Sequence, residues 1–487
     1  MAGIGIKLNK IYNKNSITTN LIGFGYSMVI TIAPMVVVIG AIFLMGRLLG
    51  LDKIGYAQRE VFSCTVLYVF IFSLLVTTPF NAVISRYLSD TIYEERYEDI
   101  LPCFHIGALL TLIVSTLMGV PFCVHECLVG GVPLYYVFTG YCCFIALVMV
   151  FYSMMYLSIC KDYQKISLFF FLGMAFSVLL SWLIVTFLHW EVTYVMLFSL
   201  TAGFLLTAGL EMAIVRSYFR ENSGNYRSVL KYFAEFKGLA FTNLFYTLGM
   251  YVHNFIFWGT EMRTVVVNSF VCAEPYDLAT CIAMFTNISA TVIFTTRVEM
   301  YFHARYKAYS EAVIGGRLMD VENAKKRMFI QLGGELMSLV RLQFIVSVVL
   351  YLLCMIFLPM YGFSGLTLKI YPCLAVGYFI LFIMYSAIMF LYYFNDLLGS
   401  FLTAFSFFVV TLVSTVYTSQ LSPIWYGLGV VIGSFVGWTV AYIRLRWVER
   451  NLDIHIFCKG QLMKPGRGQR PSSKVMDRRT GKMPQKA

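Results

Sequence analysis

The sequence predicts an all-α polytopic membrane protein of about twelve transmembrane helices, in two six-helix bundles with both termini in the cytoplasm. Three observations predict it. Of the 487 residues, 59% are hydrophobic and 13% are charged, about half the charged fraction of a soluble chain, and the mean hydropathy is +0.75. Apolar runs long enough to cross a ~30 Å hydrocarbon core at ~1.5 Å per helical residue recur along the chain. These runs are apolar all round rather than at every second position, which excludes a β-barrel. The basic residues, finally, are distributed with a strong bias between alternate loops.

Taken in order, residues 1–20 carry Lys7, Lys10 and Lys14 on one helical face and Ile4, Leu8 and Ile11 on another. This is the pattern of a short helix lying on the cytoplasmic surface, or of a basic leader that only sets orientation. The apolar run that follows is too long for a signal-peptide core, and no small-x-small site closes it, so no cleaved leader is expected. Six spans are expected near 21–45, 61–84, 103–123, 135–158, 166–188 and 192–214 (first bundle, 21–214). A basic linker, 215–238, leads to six more near 239–258, 276–296, 338–359, 370–393, 400–419 and 424–443 (second bundle, 239–443), with a large cytoplasmic loop at 297–337. The basic tail, 444–487, is rich in Gly, Pro, Ser, Lys and Arg from 459 onward and is expected to be largely disordered there. It is either solvated or drawn to anionic headgroups.

An even number of spans puts both ends on one side, and the charges say which. Of the 37 Lys and Arg, only Arg47, Lys53, Arg59, Arg263 and Lys369 fall outside if the N-terminus is inside, which satisfies the positive-inside rule. The net charge of +12 is thereby an orientation signal and needs no nucleic-acid partner.

Several chemistries lack their motifs. There is no G-x-x-x-x-G-K-[ST] for an ATPase, no G-x-S-x-G, and no metal spacing among the six histidines. No cofactor, metal or catalytic residue is expected, and the chain does not read as an enzyme. Arg59–Glu60 and Glu261-x-Arg263 are the charged groupings that keep a membrane enzyme in view. The twelve cysteines are scattered from Cys64 to Cys458, mostly in apolar runs, where a thiol is a small hydrophobe. Cys123 and Cys127 stand at i, i+4 without further ligands nearby. Glu211, Asp277, Glu299 and Asp396 all lie near expected helix ends. A carboxylate at mid-membrane usually marks ion or proton coupling, so this placement argues against a coupled antiporter.

What remains inside the spans is neutral: Asn81, Asn243, His253, Asn254, Asn287 and Gln343. Each either hydrogen-bonds between helices, the commoner role, or lines a wet translocation path. Pro34 and Pro79 are placed to kink spans of the first bundle. Aromatic residues, 17% of the chain, suit lipid-facing belts or the apolar faces of sugars. Lys325, Lys326 and Arg327 in the loop 297–337 form a basic cluster suited to docking a partner, or simply to setting orientation.

Particular segments then carry a resemblance. The opening "MAGIGIKLNKIYNKNS" with "GFGYSMVITIAP" resembles the start of the PelG family of exopolysaccharide transporters. "TTPFNAVISRYLSDTIYEERYEDILP", "LFYTLGMYVHNFIFWG", "TRVEMYFHARYKAYSEAVIGG", "VENAKKRM" and "LYYFNDLLGSFL" follow in the same order, so that the resemblance covers residues 1–445. Where that family often carries an acidic–basic pair, this chain has His253–Asn254, and the basic tail is longer.

The resemblance implies a flippase-like fold of the multidrug/oligosaccharidyl-lipid/polysaccharide superfamily in the cytoplasmic (inner) membrane of a bacterium. It further implies a biofilm-matrix complex with a cytoplasmic glycosyltransferase and a cyclic di-GMP-sensing membrane subunit, and a polysaccharide cargo rich in N-acetylgalactosamine. Alternatives are a lipid-linked oligosaccharide flippase, or a membrane scaffold or integral enzyme of a polysaccharide synthase complex.

Overall fold

In a computed structural model, the described residues are 17–160, 162–266, 270–294, 298–363 and 365–457. The expected N-terminal surface segment, up to residue 16, and the tail from 459 lie outside them. The first set of long helices is α1 (Ile17–Leu49), α2 (Tyr56–Tyr93), α3 (Ile100–His125), α4 (Leu134–Ile159), α5 (Tyr163–Leu188) and α6 (Val192–Tyr218). A short amphipathic helix, α7 (Tyr226–Glu235), follows as the linker. The second set opens with α8 (Lys237–Phe257) and an antiparallel hairpin, β1 (Thr264–Val266) and β2 (Phe270–Cys272). It continues with α9 (Glu274–Asn287), α10 (Ser289–Ile293), α11 (Glu299–Gly315), α12 (Leu318–Phe357), α13 (Gly365–Tyr393), α14 (Leu397–Thr418) and α15 (Leu428–Phe457).

Among the described residues, eleven spans are long and apolar enough to cross a membrane. The expected span 239–258 coincides with α8, whose 21 residues reach about 32 Å at ~1.5 Å each; it is not among the eleven, its apolarity being diluted by Lys237, Asn243, His253 and Asn254. Each expected span coincides with a helix. The eighth is broken into α9 and α10 at Ile288, just after Asn287, whose amide turns back to the Ala283 carbonyl at 2.9 Å. Pro34, Pro79, Pro121 and Pro372 all lie inside helices.

Within the first set, α6 packs on α4 and α5, α5 on α1, and α4 on α2; within the second, α15 packs on α13 and α14, α14 on α8, and α9 on α13. In lipid, helices associate through close backbone approach rather than through hydrophobicity, and glycine supplies it here. Gly173 and Gly203 sit so close across α5 and α6 that a Cβ on either would strike the other's carbonyl oxygen. On α15, Gly429 and Gly433 face Thr415 and Thr411 of α14 with no room for a side chain.

The core divides as the helices do. One buried cluster runs from Val38 to Val229 in the first set and is completed by Val266, Phe270 and Cys272 of the hairpin. A second lies around Tyr276, Tyr371, Tyr378 and Phe407 of the second set. A third gathers Phe302, Met328, Leu332, Phe394, Val448 and Leu452, which brace α11 and the polar half of α12 against the end of α15.

Candidate functional site at the seam between the helix sets

The two sets meet where α2 lies along α8, and again where short α10 touches α1. The α2–α8 seam is fastened at three levels. At the hairpin end, the Tyr68 hydroxyl donates to the Val271 carbonyl oxygen and accepts from the Val271 N–H at 3.0 Å. The Tyr68 ring stacks on Phe270 and leans on Trp258 with centroids 4.9 Å apart, and Phe72 stacks on Phe255 one turn further on. Midway, the Thr78 and Thr247 hydroxyls are 2.9 Å apart. Thr78 immediately precedes Pro79, which cannot donate to the carbonyl one turn back, so α2 is weakest as a helix near its central contact. At the linker end, Arg86 donates to Asn395 Oδ1 at 3.0 Å and lies over the Phe236 ring. There the Tyr232 hydroxyl donates to Asp90 at 2.5 Å, and burial together with that carboxylate pushes the Tyr232 hydroxyl well above its ordinary pKa.

Tyr68 and Arg86 are about five turns apart on α2 at ~3.6 residues per turn, hence on one face. Arg86 and Asp90 are the charged groups among these fastenings, both at the linker end; the others are aromatic, hydroxyl or amide groups that exchange partners at small cost. Beside the hairpin end, α2, α3 and α4 enclose a cavity of about 250 Å³. Tyr68, Phe72, Phe122, Tyr136, Tyr141 and Phe270 line it, and the buried Glu126 carboxylate lies at its edge.

The polar residues singled out in the sequence fall into separate groups. His253 and Asn254 come together with Asp277 inside the second set, at the hairpin end. His253 is enclosed between the hydroxyls of Tyr276 (2.9 Å) and Tyr378 (3.4 Å). Asn254 donates to Asp277 at 2.7 Å, and Asp277 also accepts from the Trp258 indole and the Ala273 N–H. Asn287 and Gln343 form a second node: Ser347 donates to Asn287 at 2.7 Å, Gln343 donates to Ser347 at 2.8 Å, and Ser289 donates to Gln343 at 2.9 Å. Asn243 donates to the Leu239 carbonyl and the Tyr392 hydroxyl. Asn81 donates to the Phe151 carbonyl, tying α2 to α4. Lys326 and Arg327 are exposed on α12, and Lys325 is half-buried beside them.

The seam residues Tyr68, Thr78, Arg86, Thr247 and Asn395 escape a reading of sequence alone. Thr78 and Arg86 stand in a polar stretch around Pro79, a faint signal, but Tyr68 is indistinguishable from the chain's other aromatics.

Residues 1–457 match the sequence profile of PelG, described as "Putative exopolysaccharide Exporter (EPS-E)". The chain belongs to the PelG family. No curated protein matches it. Among solved structures, it is similar to an outward-facing multidrug resistance MATE family transporter of the MOP superfamily. The TM-score there is 0.57 at 15% identity, over 88% of this chain and 96% of the other. An inward-facing conformation of a MATE transporter of that superfamily gives 0.56 at 14% identity, over 88% and 99%. A MOP superfamily transporter from Pyrococcus furiosus gives 0.55 at 14%, over 88% and 96%. At such identities the likeness shows the fold alone, and its near-equal match to outward- and inward-facing forms assigns no conformation. PelG membership and a MOP-type fold point to a multi-pass membrane transporter of the exopolysaccharide-exporter or flippase type rather than to an enzyme.

Proposed function

We propose that this PelG-family chain exports a Pel-type, N-acetylgalactosamine-rich polysaccharide across the bacterial cytoplasmic membrane, along the seam between its two helix sets. The observation that carries the reading is the α2–α8 seam itself. It runs from one end of the bundle to the other, and most of its fastenings are aromatic, hydroxyl or amide contacts that can be released one by one. Both termini lie in the cytoplasm in this reading, as the basic residues argue, so the hairpin end faces outside and the linker end inside. Asn81, Asn243, His253, Asn254, Asn287 and Gln343 then supply amide and imidazole groups around the path, and Lys325, Lys326 and Arg327 the docking surface of the glycosyltransferase. The cyclic di-GMP-sensing subunit joins the same complex. Chain extension at the inner mouth drives the polymer outward.

Deletion of the protein tests this. Polymer is expected to accumulate inside the cell while synthesis continues. Synthesis lost with no trapped polymer would make the chain a scaffold or enzyme of the synthase, and a trapped lipid-linked oligosaccharide would make it a flippase.

A further inference from the structure

Cys64 and Cys272 come from opposite halves of the chain and meet in one buried place. Cys64 lies on α2 one turn before Tyr68. Cys272 ends β2 next to Val271, whose N–H and C=O are both held by the Tyr68 hydroxyl. Pairing with Thr264 fixes the position of Cys272 in the hairpin. The two residues are 1% and 3% exposed and share one buried cluster. The Tyr68–Val271 clamp holds the Cys272 end of β2 against the turn of α2 that carries Cys64, and both cysteines are free thiols. An S–H is a weak donor, so packing alone would accept a small apolar residue at either position. Two thiols brought together from separate elements by an independent clamp are what a cross-link requires geometrically.

We propose that Cys64 and Cys272 form an oxidative cross-linking site, where an intramolecular disulfide fastens the hairpin of the second half to α2 of the first. The inference rests on the proposed orientation, which puts the hairpin end in the compartment where disulfides persist. The oxidant is an external disulfide, on a thiol-oxidising protein or a small oxidised thiol. One cysteine thiolate attacks it, forming a mixed disulfide and releasing one carrier thiol. The second cysteine, as thiolate, then displaces the other carrier sulfur. Two S–H groups and one external disulfide thus become one Cys64–Cys272 disulfide and two carrier thiols. Because both sulfurs are buried once the hairpin is docked, exchange takes place before docking or during a local opening. Once linked, the hairpin travels with α2 whenever the two sets move apart, and α8 and α9 must flex at its roots.

The test uses the full chain in bacterial inner membranes, denatured with excess N-ethylmaleimide and digested without reduction. Mass spectrometry is expected to find a Cys64–Cys272 linked peptide that disappears on reduction, and Cys64→Ser is expected to leave Cys272 open to alkylation. Full alkylation of both cysteines in the unreduced wild type would overturn the proposal, and needs no variant to fold. Alkylated cysteines in a protein on which polymer export depends would remove the cross-link and leave the export reading standing. A linked peptide in cells whose export does not need the protein would do the reverse.

Discussion

Asp396 and Arg444 form a two-pronged ion pair. Asp396 is 2% exposed, caps α14 by accepting from the Gly399 N–H at 3.1 Å, and accepts from Arg444 through both oxygens at 2.5 and 3.0 Å. Removing one partner of such a pair leaves the other charge buried. Arg444→Ala is expected to cost about 3–5 kcal/mol, seen as a lower midpoint of thermal unfolding in detergent, with Arg444→Lys intermediate because the two-pronged geometry is lost. Asn395, just before, has φ 55°, a left-handed conformation that Asn tolerates better than most residues, and this turns its amide toward Arg86. Glu211 shows what a sequence conceals at this scale. The apolar run ends near 214, but α6 continues to Tyr218 and encloses the carboxyl completely, with Ser153 donating to it at 2.6 Å. Glu211→Gln keeps a hydrogen-bonding partner for Ser153. If chain extension supplies the drive, this variant retains polymer export; abolished export in a folded variant would instead indicate proton or cation coupling.

Among the elements, α2 holds the seam and α15 the tightest packing. Thr78→Cys with Thr247→Cys replaces two hydroxyls 2.9 Å apart. Oxidation is expected to cross-link them and stop export, and reduction to restore it, measured as secreted polymer; undiminished export through the linked protein would remove the seam as the path. Gly433→Leu forces a side chain into Thr411 and is expected to destabilise by about 1–3 kcal/mol, read as loss of monodisperse protein on gel filtration. The long elements were legible in the sequence because a span is a run of one character, and each expected span overlaps a helix, although α12 begins at Leu318 and α15 runs to Phe457, well beyond the apolar stretches. The hairpin was not, because its three-residue strands lie in a mixed segment holding Glu261, Arg263 and Glu274, too short to show alternation. The break at Ile288 depends on where Asn287 and Gln343 meet in three dimensions. The candidate seam was scarcely legible for the same reason. Polar residues stand out against an apolar background, so Asn287, Gln343, His253 and Asn254 drew notice, but they bond to partners inside the second set. With 43 Phe and 33 Tyr in the chain, the aromatic clamp at Tyr68 had no contrast.

At the scale of the whole molecule, the two sets resemble each other in size but not in their attachments. The first carries the hairpin of its neighbour as part of its own core; the second carries a helical extension, α11 with the polar half of α12. Charge reversal at Lys325, Lys326 and Arg327 is expected to release the glycosyltransferase in a pull-down while leaving the protein in the membrane; unchanged recovery would place the partner elsewhere. The 40 residues of α12 make one unbroken rod of roughly 60 Å, about twice the ~30 Å hydrocarbon core. Such a rod is a lever. With roughly 30 Å of arm beyond the bilayer, a tilt of about 10° at its membrane end swings the tip by ~5 Å. A synthase seated on that tip could apply torque to Gln343 and the broken eighth span, so that each sugar added would be felt mechanically deep inside the second set.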